Sequence, residues 1–163
     1  MKKFIGAFIF LAFLSFSASS FADVLLGRVV GVSDGDTITV IDDSKQQFKI
    51  RLMGIDAPEK SQPFGNKSKT SLSDLVYLKV VEVTWSKHDR YGRIVGQVSF
   101  DGADVCLEQI KRGLAWHYKQ YQREQAEEDR NLYSAAETVA RKEKVGLWLG
   151  GCPEFCVNGV SVN

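Results

Sequence analysis

The sequence predicts an α+β fold, in which an antiparallel barrel or curled sheet comes first and helices follow it. Apolar residues alternate with polar ones through residues 24–100, which is the period of half-buried strands. After Asp101-Gly102 the apolar spacing changes to three and four residues, the period of a helix. Because strands and helices do not alternate along the chain, a parallel sheet with crossover helices is not expected.

The first half of the chain predicts a meander of about five strands. Alternation is clearest in residues 37–40, 49–53 and 81–86. Polar turns separate the strand candidates at Ser33-Asp34-Gly35, Asp42-Asp43-Ser44 and Lys87-His88-Asp89. With 163 residues, 44% hydrophobic and 25% charged, the chain is expected to form one domain around one core.

Three helices are predicted around this sheet. Residues 58–77 combine a Lys-rich loop with a short helix that would pack on the sheet. A second helix is expected after Asp104, a candidate N-cap, with Gly113 as its stop. The third and longest should run roughly over residues 123–145 and stop at Gly146. Their apolar faces are expected at Leu72, Leu75 and Val76, at Leu107, Ile110 and Leu114, and at Leu132, Ala136 and Val139.

The N-terminus has the pattern of a signal peptide. Lys2 and Lys3 precede an apolar run over residues 4–16, and Ser20-Phe21-Ala22 forms a small-x-small cleavage pattern. The apolar run is shorter than the ~20 residues that a membrane-spanning helix needs. We therefore predict that residues 1–22 are a signal peptide cleaved before Asp23. The mature protein would be secreted or periplasmic, with no stable membrane association.

Net charge does not indicate a protein that binds nucleic acid over a broad basic surface. Cleavage of the signal peptide would remove two of the 21 basic residues and none of the 20 acidic ones, so the mature charge is close to zero. Proteins that hold nucleic acid through many phosphate contacts usually have a basic excess. Any activity on nucleic acid must therefore come from a local arrangement of residues.

Three cysteines lie in a chain predicted to reach an oxidising compartment. Cys152 and Cys156 fall in a C-terminal tail, residues 150–163, and could close a small loop. Either could instead pair with Cys106 if the tail folds back. The sequence does not choose between these pairings, and it leaves one cysteine over.

Charged residues cluster in three short segments that fall at strand edges. They are Asp34-Gly35-Asp36-Thr37, residues 51–59, and Tyr91-Gly92-Arg93. Strand alternation places Arg51 on the face opposite to Ile50 and Leu52. Asp56 and Glu59 flank Pro58 where that strand ends, and converging carboxylates repel unless a cation or an arginine compensates them. Turn chemistry or surface exposure explains each segment alone, but their combination predicts a charged site.

Two common metal sites do not fit this pattern. Counted as an EF-hand from Asp34, the sixth position is Thr39 instead of Gly and the twelfth is Lys45 instead of Glu. A zinc site is not favoured because His88 and His117 are isolated in sequence. Both histidines are therefore expected at the surface or at an interface.

The charged segments, taken together, resemble those of the staphylococcal nuclease, or thermonuclease, family. The resemblance covers nearly all of residues 23–149. Its motifs occur in the family's order at Asp34-Gly35-Asp36-Thr37, Arg51 with Asp56-Ala57-Pro58-Glu59, Asp89-Arg90-Tyr91-Gly92-Arg93, Arg112-Gly113-Leu114-Ala115 and Lys142-Glu143-Lys144-Val145-Gly146-Leu147-Trp148. It implies a five-stranded OB-type β-barrel with three α-helices in residues 23–149.

The resemblance also implies a metal site. It assigns Asp36, Asp56 and the carbonyl of Ala57 to one Ca²⁺, with Asp34 supporting the ligands and the metal-bound water. Ca²⁺ prefers oxygen ligands in a flexible shell completed by water, which agrees with this set.

The same resemblance gives the remaining residues roles in cleavage. Glu59 would orient or deprotonate the attacking water, and Arg51 and Arg93 would hold phosphate oxygens. Tyr91 and Tyr121 would contact the nucleotide. The implied activity is calcium-dependent endonucleolytic hydrolysis of DNA and RNA that leaves 3′-phosphate ends, by a protein expected to be a monomer. The alternative is a non-catalytic OB-fold module that binds nucleic acid or protein.

Overall fold

Five strands close into a barrel in the computed structural model, which describes residues 22–150. The described residues contain eight strands in all, which are β1 (Asp23–Val32), β2 (Thr37–Ile41), β3 (Gln47–Leu52), β4 (Ile55–Asp56), β5 (Val80–His88), β6 (Ile94–Phe100), β7 (Ala103–Asp104) and β8 (Trp116–His117). Of these, β1, β2, β3, β5 and β6 form the barrel. Antiparallel pairing runs in the order β3, β2, β1, β5, β6, and a parallel pairing of β3 with β6 closes the ring. The predicted five-stranded α+β barrel is therefore confirmed. The predicted meander is wrong for the sheet as a whole, because β1 pairs with β5 and β3 pairs in parallel with β6.

Alternation along the strands places the core inside the barrel. Ile38 and Val40 of β2, Ile50 and Leu52 of β3, and Val83 of β5 are all buried. Because side chains on a strand point alternately to opposite faces, the residues between these core positions lie on the other face of each strand. The turn predicted at Lys87-His88-Asp89 lies later in the chain. Strand β5 continues through His88, and the chain turns from Asp89 to Arg93.

Three α-helices pack on the barrel, as expected. They are α1 (Gly65–Val76), α2 (Val105–Lys111) and α3 (Glu127–Lys142), with 3-10 helices at Lys119–Glu124 and Gly146–Trp148. Asp104 caps α2, because its Oδ1 accepts a hydrogen bond from the Leu107 N–H at 3.1 Å. Gly113 follows α2 with a φ of 63°, a conformation that favours glycine and ends the helix.

The longest helix differs from its prediction in length and in its buried face. It spans Glu127–Lys142, whereas the sequence predicted residues 123–145, because Lys119–Glu124 form a separate 3-10 helix. Leu132 and Val139, predicted on the apolar face, are about half exposed, at 49% and 52%.

The buried residues of α3 are instead Tyr133, Glu137 and Ala140. Polar contacts explain this choice of face. The Tyr133 hydroxyl donates to Asp104 at 2.7 Å, and Glu137 pairs with Lys119 and Arg141.

The ends of the chain lie outside the described residues. The predicted signal peptide lies outside them except for its last residue, Ala22, and so do Cys152 and Cys156 of the tail. Cys106 is a free thiol, fully buried in the core, where burial raises its pKa. In the described part, no helix combines the length and apolar character needed to cross a bilayer.

Candidate functional site

Asp36, Arg51 and Asp56 form one ion-pair cluster at the edge of the barrel. Arg51 lies between the two acids, with Nη1 2.9 Å from Asp36 Oδ2 and Nη2 2.6 Å from Asp56 Oδ1. Nη1 also donates to the carbonyl of Ile55 at 3.0 Å. We call these three side chains the buried centre, because their exposed fractions are only 9%, 16% and 11%.

Each member of the buried centre is positioned by a different segment. Asp36 immediately precedes β2, whose first residue Thr37 pairs with Arg51 of β3. Asp56 lies on β4, and it is held opposite Trp116 by the short β4–β8 sheet. Pairing between residues far apart in sequence therefore brings together the acids and the arginine that the sequence placed in separate segments.

The electrostatics of the buried centre show that one arginine does not balance its acids. The pKa of Asp36 is raised to about 7, chiefly by burial; Arg51 lowers it, and the nearby charges of Asp34 and Asp56 raise it. Burial alone would lower the pKa of Arg51, but Asp36 and Asp56 raise it above its ordinary value. Three carboxylates facing one guanidinium leave a region that favours an additional positive charge.

Ala57 and Asp34 lie against the same acids. The Ala57 N–H donates to Asp36 Oδ2 at 2.9 Å, and Ala57 is buried. Asp34 Oδ1 accepts from the N–H of Asp36 at 3.2 Å, which folds the loop before β2 into a tight turn. Asp36 Oδ1 accepts from the Thr37 hydroxyl, so both of its oxygens are oriented by neighbours.

Glu59 lies three residues beyond Asp56 but in a different environment. It is exposed, and its backbone N–H donates to the Gln62 side chain at 2.8 Å. Its side-chain carboxylate makes no hydrogen bond or ion pair with any group in residues 22–150. Its carboxylate is therefore available to solvent.

Arg93 and Tyr91 lie in the turn between β5 and β6. Arg93 Nε donates to Asp89 Oδ2 at 2.7 Å, while the N–H groups of Tyr91 and Arg93 both donate to Asp89 Oδ1 at 2.9 Å. Burial opposes ionisation of Asp89, but these bonds hold its pKa below the usual range. Since β6 runs parallel beside β3, with Val95 opposite Arg51, this turn leads into the strand next to Arg51.

Tyr121 lies beyond β8, on the 3-10 helix Lys119–Glu124. Its ring is 50% exposed, lies 5.4 Å from the Tyr118 ring and has the Lys87 ammonium 5.3 Å from its centre. The charge of Asp56 acts on Tyr118, since burial and then that charge raise the pKa of the Tyr118 hydroxyl. We call Glu59, Tyr91, Arg93 and Tyr121 the rim.

His117 corrects a sequence prediction. It was expected at the surface or at an interface, but it is fully buried inside the domain, with Nε2 2.9 Å from the Gln125 side-chain oxygen. Burial lowers its pKa. The available signal was its place directly after the apolar run Leu114-Ala115-Trp116. His88 is exposed, as predicted.

The His117–Gln125 pair lies beneath the loop that leads to Asp56. Gly54 has a φ of 75°, and a β-carbon there would collide with the Gln125 amide. The Gly54 carbonyl accepts from the Tyr118 N–H at 2.9 Å. These contacts link the β4 loop to the segment that follows β8.

The donor chemistry of the buried centre suits a hard divalent cation. Asp36 and Asp56 supply buried carboxylate oxygens in a region of excess negative charge, and such cations prefer oxygen ligands. In residues 22–150 no group of three or more His, Cys, Asp or Glu side chains is placed to hold a metal ion. A cation here would therefore need backbone carbonyls and water as well, as Ca²⁺ sites commonly use.

Buried carboxylates suited to a cation, with an arginine suited to phosphate beside them, are typical of enzymes that hydrolyse phosphate esters. A family model described as "Staphylococcal nuclease homologue" matches residues 49–150. An uncharacterized endonuclease of Haemophilus influenzae is 44% identical over 126 residues, which cover 77% of this chain and 67% of that protein. An uncharacterized endonuclease of Escherichia coli is 40% identical over 154 residues, 94% of each chain.

A protein named micrococcal nuclease in Shigella flexneri is 37% identical over 131 residues, which cover 75% of this chain and 72% of that protein. The chain belongs to the staphylococcal nuclease family. As an enzyme it is a nuclease, a hydrolase of phosphodiester bonds. The resemblance inferred from the motifs is thereby confirmed.

Proposed function

We propose that the protein is an exported, calcium-dependent endonuclease that hydrolyses DNA and RNA and leaves 3′-phosphate ends. The observation that carries this proposal is the buried centre, in which Arg51 contacts both Asp36 and Asp56 within hydrogen-bond distance. A purely structural ion pair would need one acid for one arginine. The excess of acids supports a role in holding a cation.

Asp36, Asp56 and the Ala57 carbonyl would hold Ca²⁺. Asp34 would support them by fixing the turn that carries Asp36, through its bond to the Asp36 N–H. When bound, Ca²⁺ supplies Lewis-acid polarisation of a phosphate oxygen. The high pKa of Asp36 fits this role, since a carboxyl that is costly to ionise alone gains most from a cation nearby.

Arg51 and Arg93 would hold the phosphate of the substrate. In this structure Arg51 donates to Asp56 and forms an ion pair with Asp36. With a bound cation balancing the two acids, its N–H groups would be free to turn to the phosphate. Arg93 is kept in place by Asp89 through its Nε, which leaves its terminal nitrogens for an anion. The planar, permanently charged guanidinium group suits two adjacent phosphate oxygens.

Glu59 would act on the attacking water. Its carboxylate would orient the water and accept its proton while the water oxygen attacks phosphorus. The bond from phosphorus to the 5′-oxygen would break, so the phosphate remains on the 3′ side. Solvent exposure of Glu59 supports this assignment, because a base that acts on water must reach it.

Tyr91 and Tyr121 would contact the nucleotide. Tyr91 is 68% exposed, with the guanidinium groups of Arg90 and Arg93 at 4.8 and 5.5 Å from its ring centre. An exposed aromatic ring beside cations suits a base or sugar next to a phosphate. The same features would serve single-stranded DNA and RNA, and this supports a broad substrate range.

The main alternative is a non-catalytic module that binds nucleic acid or protein through the barrel. Such a module has no use for a buried acid pair that shares one arginine. The near-neutral mature charge also gives little support to tight binding through phosphate contacts alone. We therefore favour the enzyme.

The predicted signal peptide supports export to the periplasm or the medium. The mature protein would be a monomer without stable membrane association. Mass measurement of the protein from the exporting cell would test cleavage before Asp23. A mass that includes residues 1–22 would contradict it.

The decisive experiment compares cleavage of DNA and RNA with added Ca²⁺ and with a chelator. We expect cleavage only with Ca²⁺, and product ends that a polymerase extends only after phosphatase treatment. Asp56→Asn should abolish calcium-dependent cleavage, whereas Asp43→Asn, the same change on an exposed turn, should not. Activity that survives the chelator would overturn the calcium assignment.

A further inference from the structure

A fully buried glutamine, Gln109 of α2, contacts the loop that carries two of the acids. Its Nε2 donates to the carbonyls of Gly35 at 2.9 Å and of Ser68 at 3.2 Å. Its Oε1 accepts from the Ser71 hydroxyl at 2.7 Å. Because a carbonyl can only accept, the NH₂ end of the amide must face Gly35 and Ser68. Both ends of the side chain are therefore satisfied in a site without solvent.

The bond to Gly35 fixes the peptide unit that joins Gly35 to Asp36. The carbonyl of this unit accepts from Gln109, and its N–H, which belongs to Asp36, donates to Asp34 Oδ1. A peptide unit is planar, so rotation of this unit would break both bonds together. Gln109 thereby sets the direction of the Asp36 backbone and the position of the Asp34 carboxylate.

Packing around Gly35 leaves the loop little room to shift. A β-carbon on Gly35 would collide with the Ser68 hydroxyl and lie 2.8 Å from the Ala57 side chain. Ser68 is itself held by α1 and donates to the Leu114 carbonyl at 2.6 Å. The loop therefore packs between α1 and the segment that carries Asp56 and Ala57. The hydrogen bond from Gln109 joins it to α2.

We propose that Gln109 is a positioning residue for the acids of the active site, and that its amide sets the calcium affinity of the enzyme. It does not touch the buried centre. It acts through the Gly35–Asp36 peptide on Asp36 and Asp34. This inference rests on the proposed function, in which those acids hold or support Ca²⁺. Groups that orient metal ligands typically change metal affinity by about 10-fold to 100-fold when they are removed.

The test is Gln109→Met, which keeps the side-chain length and removes both donors and the acceptor. We expect the calorimetric Kd of the folded protein for Ca²⁺ to rise at least about 10-fold. At saturating Ca²⁺, the KM for a DNA substrate should stay within about twofold, because Arg93 and the tyrosines are unaffected.

The matched control is Ile110→Val, a buried substitution at the next position of α2. It should lower the melting temperature without changing the Kd for Ca²⁺. A merely structural role for Gln109 predicts that both variants lose stability and keep calcium affinity, and that result would overturn the proposal.

If Gln109→Met does not fold, Ser71→Ala provides the test. It removes the donor that fixes the amide oxygen, together with a long hydrogen bond of 3.3 Å that the same hydroxyl accepts from Arg112. A rise of about threefold in the calcium Kd is expected. An unchanged Kd in this variant would also overturn the proposal. Failure of the wild-type protein to bind Ca²⁺ would instead contradict the proposed function, so the two failures are distinguishable.

Discussion

The buried centre and the rim differ in what holds them. Asp36, Arg51 and Asp56 come from three segments joined by strand pairing, and at most 16% of each side chain is exposed. Tyr91 and Tyr121 are at least half exposed, and Arg93 is held by Asp89 of its own turn. Strand pairing thus holds the charges of the buried centre, whereas the two tyrosines of the rim are open to solvent and Arg93 depends on its own turn.

This difference predicts separate effects on stability and on catalysis. Residues of the buried centre contribute to both, because removing a charge there leaves its partners without compensation. Residues of the rim should affect catalysis alone. Three substitutions test the division, and a fourth tests His117, which is buried beneath the loop that leads to Asp56; they follow in order of decreasing effect.

Replacing Arg51 should have the largest effect. Arg51→Ala leaves two buried acids without their arginine, so the free energy of unfolding without Ca²⁺ should fall by about 3 kcal/mol. Turnover should fall by about 10² to 10³ because a phosphate contact is lost. Urea denaturation and steady-state kinetics measure the two effects. Arg123→Ala, on an exposed position, is the control, and equal behaviour of the two variants would refute the distinction.

Glu59→Gln should change catalysis and leave stability alone. Turnover should fall by more than about 100-fold, since an amide cannot accept the proton of the water. The free energy of unfolding should stay within about 0.5 kcal/mol, because Glu59 is exposed. Glu128→Gln provides the same chemical change at an exposed position of α3. Full activity of the Glu59 variant would show that another group accepts the proton.

Arg93→Lys tests whether the rim binds phosphate by geometry or by charge. Lysine keeps the charge but loses the planar fork, so turnover should fall by about 10-fold with little change in stability. Kinetics at saturating substrate and thermal denaturation are the measurements. A variant with wild-type turnover would mean that charge alone is enough at this position.

His117→Gln should have the smallest effect, which depends on pH. Burial lowers the pKa of His117 in the folded protein from its ordinary value of 6.5, so the unfolded chain binds a proton more readily. Its contribution to stability is complete above that value and is lost as pH falls through the lower folded pKa. Nδ1 has no partner in residues 22–150, so protonation would bury an unbonded N–H.

The measurement is urea denaturation of wild-type protein and His117→Gln between about pH 8 and about pH 5. The wild type should lose stability relative to the variant as pH falls. Glu137, Lys119 and Arg130 are the charges that act on His117 and are common to both proteins. Asp36 contributes with the opposite sign, because its pKa is raised, so only the difference between the proteins is diagnostic. Parallel pH profiles would contradict the prediction.

The sequence by itself determined the parts that depend on local chemistry. Alternation fixed which face Ile50, Arg51 and Leu52 present, because side chains of a strand must point to opposite sides. Asp104 and Gly113 marked the beginning and end of α2, since capping and positive φ are properties of single residues. The family motifs predicted a site of acids and arginines before any contact between them was known, and the structure brings Asp36, Arg51 and Asp56 into contact.

Only the tertiary structure decided the contacts between distant segments. The burial of His117 follows from the pairing of β8 with β4, and the exposure of Leu132 and Val139 follows from the polar contacts of Tyr133 and Glu137. Nothing in the sequence indicated that the Gln109 side chain donates to the carbonyl of Gly35, which lies 74 positions away along the chain. Periodicity reports which face of an element is apolar, but it does not report which partner that face meets, since partners are set by packing of the whole chain.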